Sequence, residues 1–229
     1  MNRTTAVAGE AADLTICTDK RTGDQMNKSN VLGLVLAGGL STRMGQDKSR
    51  LCLRSTNQSL VEHAHNLLSN VCNGRVIVSG KGAEQIQDVY PECGPLAGIH
   101  AGFMYAINQH SQGVKPATAE QFSALLVTPV DMPSLTAQTL TLLIENAQKN
   151  SSLAYFEGFN LPLYVPLHRS IFQYLARVLQ DRSALSIFRM LEMNHGHAIS
   201  IPDTVNMDEF INVNSPKQWH KLNTNSVNI

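Results

Sequence analysis

A continuous run of strand-forming apolar residues, Val31 to Leu36, breaks directly into the loop Ala37-Gly38-Gly39-Leu40-Ser41-Thr42-Arg43-Met44-Gly45-Gln46-Asp47-Lys48. An unbroken apolar run of this length suits a central strand of a parallel sheet, covered on both faces. Glycines let the following backbone reach positive φ and come close to a ligand. Backbone amides in such a loop point at anions, and two fixed cations, Arg43 and Lys48, add charge neutralisation. Together these residues suit a polyphosphate. Lys48 does not follow a glycine and no GK[ST] triplet is present, so the loop is not the common phosphate-binding pattern; nor is it the G-x-G-x-x-G dinucleotide fingerprint.

The remainder of the chain alternates strand and helix signals, which favours a largely parallel sheet with helices on both faces. Apolar spacing predicts a helix over Leu60–Leu68, a strand over Arg75–Ser79, a helix over Leu96–Gln109, a buried strand Ala124–Thr128 leading to Asp131, and a helix over Thr136–Lys149. Residues 82–88 are short and ambiguous, and read as a helical turn followed by a third strand. Ser152–Phe156 and Leu161–Val165, around Glu157-Gly158-Phe159-Asn160, read as a hairpin that adds an antiparallel piece. Helices over His168–Leu179 and Ala184–Met193, strands over His197–Ile201 and Glu209–Val213, and a short helix from Ser215 complete the pattern.

A length of 229 residues suits one large α/β domain, and a hydrophobic fraction of 43% is ordinary for a soluble protein. Formal net charge is zero, so nothing argues for a nucleic-acid partner, and any phosphate-binding charge must be local. No apolar run approaches the length that crosses a membrane. Cys17, Cys52, Cys72 and Cys93 are scattered without metal-like spacing, which points to inert reduced thiols and a cytoplasmic location. Residues 1–28 read as a flexible N-terminal extension, within which Met26 offers an alternative start; residues 29–222 form the expected domain, and 223–229 a frayed tail.

Several residues invite chemistry. Asp131 stands at the carboxyl end of a strand, where open parallel sheets collect ligands. Facing a polyphosphate, its carboxylate suits Mg2+, a hard ion that takes one or two carboxylates plus phosphate oxygens; the competing role is to cap the helix that follows. Gly94-Pro95-Leu96-Ala97-Gly98 opens a helix with small residues, either to approach a ribose or to pack tightly. Asn212 and Asn214 would share one face of a strand, there to hold the metal's water shell or the acceptor, or else to form a hydrogen-bonded turn. His195-Gly196-His197 reads as a turn, and Cys93 has no identifiable histidine partner.

The stretch LAGGLSTRMGQDK resembles the nucleotide-binding signature LAGGxSxRMGxDK of the molybdenum cofactor guanylyltransferases, members of a wider nucleotidyltransferase superfamily. Gly94-Pro95-Leu96-Ala97-Gly98, Pro129-Val130-Asp131-Met132-Pro133 and Asn212-Val213-Asn214-Ser215-Pro216 follow in the order that family shows, so the resemblance spans about residues 30 to 222. It implies a single Rossmann-like three-layer α/β/α domain and transfer of GMP from GTP to molybdenum-molybdopterin, with release of pyrophosphate. It also implies Mg2+ at Asp131, phosphate contacts from Lys48 and Arg43, base contacts from the backbone of Leu36, Ala37 and Gly38, and a nucleotide-binding role for Gly39. Related cytidylyltransferases tend to carry LAAG where this chain has Leu36-Ala37-Gly38-Gly39, and the added room favours guanine. Asp88 matches an aspartate that contacts the nucleotide, with slightly different spacing. Ser79 stands where the family often has Asn, and Leu161-Pro162 where it often has His-Pro. Other cofactor-biosynthesis proteins and molybdoenzymes are the partners such an enzyme would meet. Two alternatives stay open: a cytidylyl- or other nucleotidyltransferase acting on a different phosphate acceptor, and a non-catalytic protein that binds and delivers the cofactor.

Overall fold

Six strands form one sheet in the order β2-β1-β3-β5-β4-β6. They are β1 (Val31–Leu36), β2 (Val76–Ser79), β3 (Ala124–Pro129), β4 (Ala154–Phe156), β5 (Leu163–Pro166) and β6 (His197–Ile199). β1 pairs in parallel with β2 and β3, and β4 with β6; β5 runs antiparallel to both of its neighbours, β3 and β4. The expected mixed α/β sheet with one antiparallel piece is therefore present. This computed structural model describes residues 30–38, 51–111 and 122–225, except the side chains of 109–111 and 224–225. The expectations for Gly39, Arg43, Lys48, Cys17 and the N-terminal extension lie outside the described residues.

Two layers of helix cover the sheet. α1 (Leu60–Val71) and α3 (Ala137–Asn150) pack on one face, where Ala64, Leu68, Leu140 and Ile144 meet Val31, Val35 and Leu126. α2 (Pro95–Ser111) and α4 (Arg169–Gln180) cover the other, where Leu96, Ile99, Phe103 and Leu175 meet Leu32, Leu34 and Leu125. α5 (Ile187–Met193) joins this second face through Ile187, Met190 and Leu191. Alternate residues of β1 thus serve both cores, which is why its sequence is apolar throughout. α1 starts at a capping box: Ser59 Oγ accepts from Glu62 N–H at 3.2 Å, and Glu62 Oε2 accepts from Ser59 N–H at 2.7 Å.

Four expectations need correction. Residues 82–88 form no strand; Ile86 makes one isolated parallel bridge to Ser79. Glu209–Val213 is not a strand either. Met207–Phe210 is a 3-10 helix, and the chain from Ile211 to Asn214 is irregular. The buried positions are Glu209, Phe210 and Val213, with Ile211 exposed, which breaks the period of two that a half-buried strand needs. Asn206 starts the turn by accepting from Asp208 N–H at 2.9 Å. α5 begins at Ile187 rather than near Ala184, because Ala184 has φ of 52° and Ser186 caps the helix through Arg189 N–H. Finally, α6 (Pro216–Asn225) continues past the expected tail boundary. Asn223 is 5% exposed, and its side-chain oxygen accepts from Arg54 N–H at 2.9 Å.

Candidate active site

The carboxyl ends of β1, β2 and β3 are level. Leu36 is in register with Ser79 on one side and Pro129 on the other. The strand order turns at β1, which has β2 on one flank and β3 on the other, and ligands collect beside such a turn, outside the strand ends. The sheet edge therefore brings together Leu36, Ala37 and Gly38 from β1, Ser79 with Asp88 from β2, and Asp131 from β3. Ala37 N–H donates to Ser79 O at 2.8 Å and Val130 N–H to Leu36 O at 3.3 Å, so the ladder carries on one residue beyond each strand. Gly38 follows, exposed.

Asp88 is built into the corner beside Gly38. Ser79, 1% exposed, donates from its hydroxyl to Asp88 Oδ1 at 2.9 Å. A methyl group on Gly38 would stand 4.0 Å from Asp88 Oδ2, so the carboxylate borders the space in front of that glycine. Burial raises the Asp88 carboxyl above its ordinary 3.8, and the bond from Ser79 opposes the rise. The loop carrying Asp88 is anchored two residues later. Tyr90 meets the ring of His100 edge-on at 5.2 Å, and His100 stacks on Phe172 of α4 at 5.2 Å. His100 is 5% exposed, and burial holds it below its ordinary 6.5, in the neutral form.

Between the two expected roles of the Gly94–Gly98 segment, close packing is visible. Gly94 has φ of 68°, and α2 starts at Pro95, a residue suited to the first helical position. A Cβ on Gly98 would lie 2.6 Å from Leu36 Cδ2 and 2.8 Å from Ser79 Oγ. Only glycine lets α2 sit this close to the ends of β1 and β2.

Asp131 stands on the loop between β3 and α3, half-buried. The competing role as the cap of α3 belongs instead to Thr136, whose hydroxyl accepts from Thr139 N–H at 3.2 Å. Three ties hold this loop. Val213 N–H donates to Asp131 O at 2.7 Å, His63 Nε2 of α1 hydrogen-bonds Pro133 O at 2.9 Å, and Thr136 is bonded to Glu209. The first tie seats Asn212 and Asn214 on either side of the residue bonded to Asp131. Asn212 is exposed and Asn214 half-buried, with Asn214 N–H donating to Gln218 Oε1 at 2.9 Å. The two residues thus flank this corner on an irregular segment rather than on one face of a strand.

The donors at the Asp131 corner are a carboxylate and side-chain amides, all hard oxygen ligands. They fit a magnesium ion that takes its other ligands from phosphate and water. Among the described residues no group of three or more His, Cys, Asp or Glu gathers in metal-binding range. Cys72 and Cys93 are buried and Cys52 is exposed; burial pushes the Cys72 thiol up to about 12, against a smaller opposing effect of Arg75. His195, at φ of 53°, sits in the turn before β6, as expected. Sequence reasoning missed Glu209 and His100: neither lies in a recognisable motif, and both matter through partners distant in the chain. Among the described residues no helix is long and apolar enough to cross a membrane.

Comparison with known proteins gives this edge a context. The profile of the MobA-like NTP transferase domain matches residues 33–198. A Xanthomonas euvesicatoria pv. vesicatoria protein named molybdenum cofactor guanylyltransferase is 33% identical over 193 residues, covering 83% of this chain and 93% of its own. A Bacillus cereus protein named probable molybdenum cofactor guanylyltransferase is 26% identical, covering 83% of this chain and 94% of its own. Among solved structures, molybdopterin-guanine dinucleotide biosynthesis protein A from Archaeoglobus fulgidus superposes with a TM-score of 0.67 at 19% identity. It covers 86% of this chain and 99% of its own, a likeness of fold.

Proposed function

Because the chain belongs to the MobA-like NTP transferase family, and is a nucleotidyltransferase, we propose that it transfers GMP from GTP to the terminal phosphate of molybdenum-molybdopterin in the cytoplasm. GTP lies along the carboxyl edge of the sheet, its base against the backbone of Leu36, Ala37, Gly38 and Gly39. Asp88 borders the nucleotide, and Ser79, too buried to offer much surface, orients the Asp88 carboxylate. Lys48 and Arg43 meet the phosphates. Asn212 and Asn214 face the acceptor or the waters of the metal.

A phosphate oxygen of the acceptor forms a bond to the α-phosphorus as the bond from that phosphorus to the bridging oxygen of the β-phosphate breaks. Pyrophosphate leaves. The attacking oxygen is already anionic, so no general base is needed, and one phosphoanhydride replaces another. The residues act by alignment and by neutralising charge on the non-bridging and leaving oxygens. Asp131 is the residue that would hold Mg2+, which when bound supplies further neutralisation of phosphate charge.

The observation that best supports this reading is the level register of Leu36, Ser79 and Pro129, which places Gly38, Asp88 and Asp131 along one edge. Guanine rather than cytosine is favoured because Gly38 leaves open space in front of Asp88. Pyrophosphate release from purified protein, Mg2+ and molybdenum-molybdopterin tests it, with GTP and CTP in parallel. Release with GTP and only background with CTP is expected. Preference for CTP would make the chain a cytidylyltransferase; GTP binding without pyrophosphate would make it a delivery protein.

A further inference from the structure

Glu209 is an unusual residue to bury. It sits in the 3-10 helix Met207–Phe210 with 9% of its surface exposed, and a carboxylate there is sustained only if its hydrogen bonds are satisfied. Its Oε2 accepts from both donors of Thr136: the backbone N–H at 3.0 Å and the hydroxyl at 2.9 Å. Thr136 is 73 residues away in sequence and caps α3, so the negative charge also lies at the positive end of that helix.

This clamp does not stand alone. Four residues after Glu209, Val213 N–H bonds to Asp131 O, five residues before Thr136. The segments 131–136 and 209–213 are therefore fastened at both ends, in antiparallel sense, with Asn212 and Asn214 flanking the second fastening. An apolar residue at 209 would bury area without choosing a register. A carboxylate that takes both donors of one threonine fixes it.

We propose that Glu209 is a positioning residue for nucleotidyl transfer: its clamp on Thr136 sets the register of 209–214 against 131–136, and so the distance from the Asp131 carboxylate to the amides of Asn212 and Asn214. This rests on the reading of Asp131 as the magnesium-holding residue. Glu209 touches neither substrate nor metal and acts through the two segments it joins.

The test uses the full chain with Glu209→Asp, one methylene too short to reach Thr136, and Glu209→Gln, which keeps the reach and an acceptor oxygen. Two readouts are compared: hydrogen exchange at the Val213 amide, and the Mg2+ concentration giving half-maximal pyrophosphate release from GTP. Glu209→Asp is expected to speed Val213 exchange and raise the half-saturating Mg2+ about tenfold, as loss of a support behind a metal ligand does, with metal-free GTP binding unchanged. Glu209→Gln should return both to within about threefold of wild type, since its oxygen still reaches both donors. Should Glu209→Asp fail to fold, Thr136→Ala removes the hydroxyl from the opposite side and is expected to give the same Mg2+ shift. Lowered melting temperature with wild-type Mg2+ dependence and wild-type Val213 exchange would overturn the proposal, leaving Glu209 a stabilising residue only. Wild-type protein with no Mg2+-dependent release would instead overturn the reading of Asp131, and this proposal with it.

Discussion

Asp88 and Asp131 stand at two corners of the same sheet edge, and the protein supports them by different means. The Asp88 corner is built chiefly by packing. Ser79, at the end of the adjacent strand, donates to the carboxylate, and the loop behind it rests on the rings of Tyr90, His100 and Phe172. Its geometry depends on tight apolar packing, most of all where Gly98 lets α2 approach Leu36 and Ser79. The Asp131 corner is held by hydrogen bonds from distant parts of the chain: His63 from α1, and Val213 and Glu209 from the C-terminal segment. A rigid, packed corner suits recognition of a fixed shape such as a base. A corner made of separate segments lets the metal side and the acceptor side be set against each other.

The largest expected effect lies at the second corner. Asp131→Ala should lower kcat by on the order of 100- to 1,000-fold, since losing a metal's charge stabilisation costs several kcal/mol in the transition state, with circular dichroism unchanged. Normal transfer by the folded variant would remove Asp131 from the site. Next comes the anchor of the C-terminal segment. Phe210 is 3% exposed, stacks on Phe159 at 4.3 Å and meets Phe156 at 5.2 Å. Phe210→Ala should cost about 3–5 kcal/mol in urea unfolding. In folded variant protein, Val213 exchange should rise while the Asp88 corner keeps its wild-type exchange; equal loosening of both corners would dissolve the distinction between them.

At the packed corner Gly98→Ala is expected to destabilise by about 1–3 kcal/mol, because a Cβ there overlaps Leu36 and Ser79. It should also weaken GTP binding more than it changes Mg2+ dependence. The smallest effect is a pH dependence. His100 is held neutral by burial, its proton affinity lower in the folded than in the unfolded chain. Above the ordinary 6.5 both states are neutral, so no stability is lost. Below it the unfolded chain takes up a proton that the folded protein resists, so stability falls as pH drops further. His100→Phe keeps a ring between Tyr90 and Phe172 and should flatten the fall in melting temperature as pH drops below the ordinary 6.5. An unchanged slope would show that His100 does not titrate against the fold.

The same contrast separates what could be read in the sequence from what could not. The first half announces itself because each element carries its own signal. Val31–Leu36 and Ala124–Val127 are apolar runs, and α1 and α3 follow the 3.6-residue period. Gly38, Ser79 and Asp131 could be located because they lie at strand ends, whereas Asp88 was suggested by the family resemblance alone. The hairpin partners β4 and β5 were also legible. Glu209–Val213 misled because, over five residues, burial of Phe210 and Val213 at a spacing of three cannot be told from alternation until their partners are known. Phe156 and Phe159 supply those partners for Phe210, and Asp131 O for Val213. Glu209 was invisible for the same reason: an acid directly after Asp208 reads as a solvated surface charge, and only the fold brings Thr136 to it.

The most direct test of the central claim is the mass of the product formed when purified protein is incubated with GTP, Mg2+ and molybdenum-molybdopterin. A product heavier than the cofactor by one guanylyl group, formed together with an equal amount of pyrophosphate, is the expected result. Cofactor recovered at its original mass, with GTP unconsumed, would contradict it.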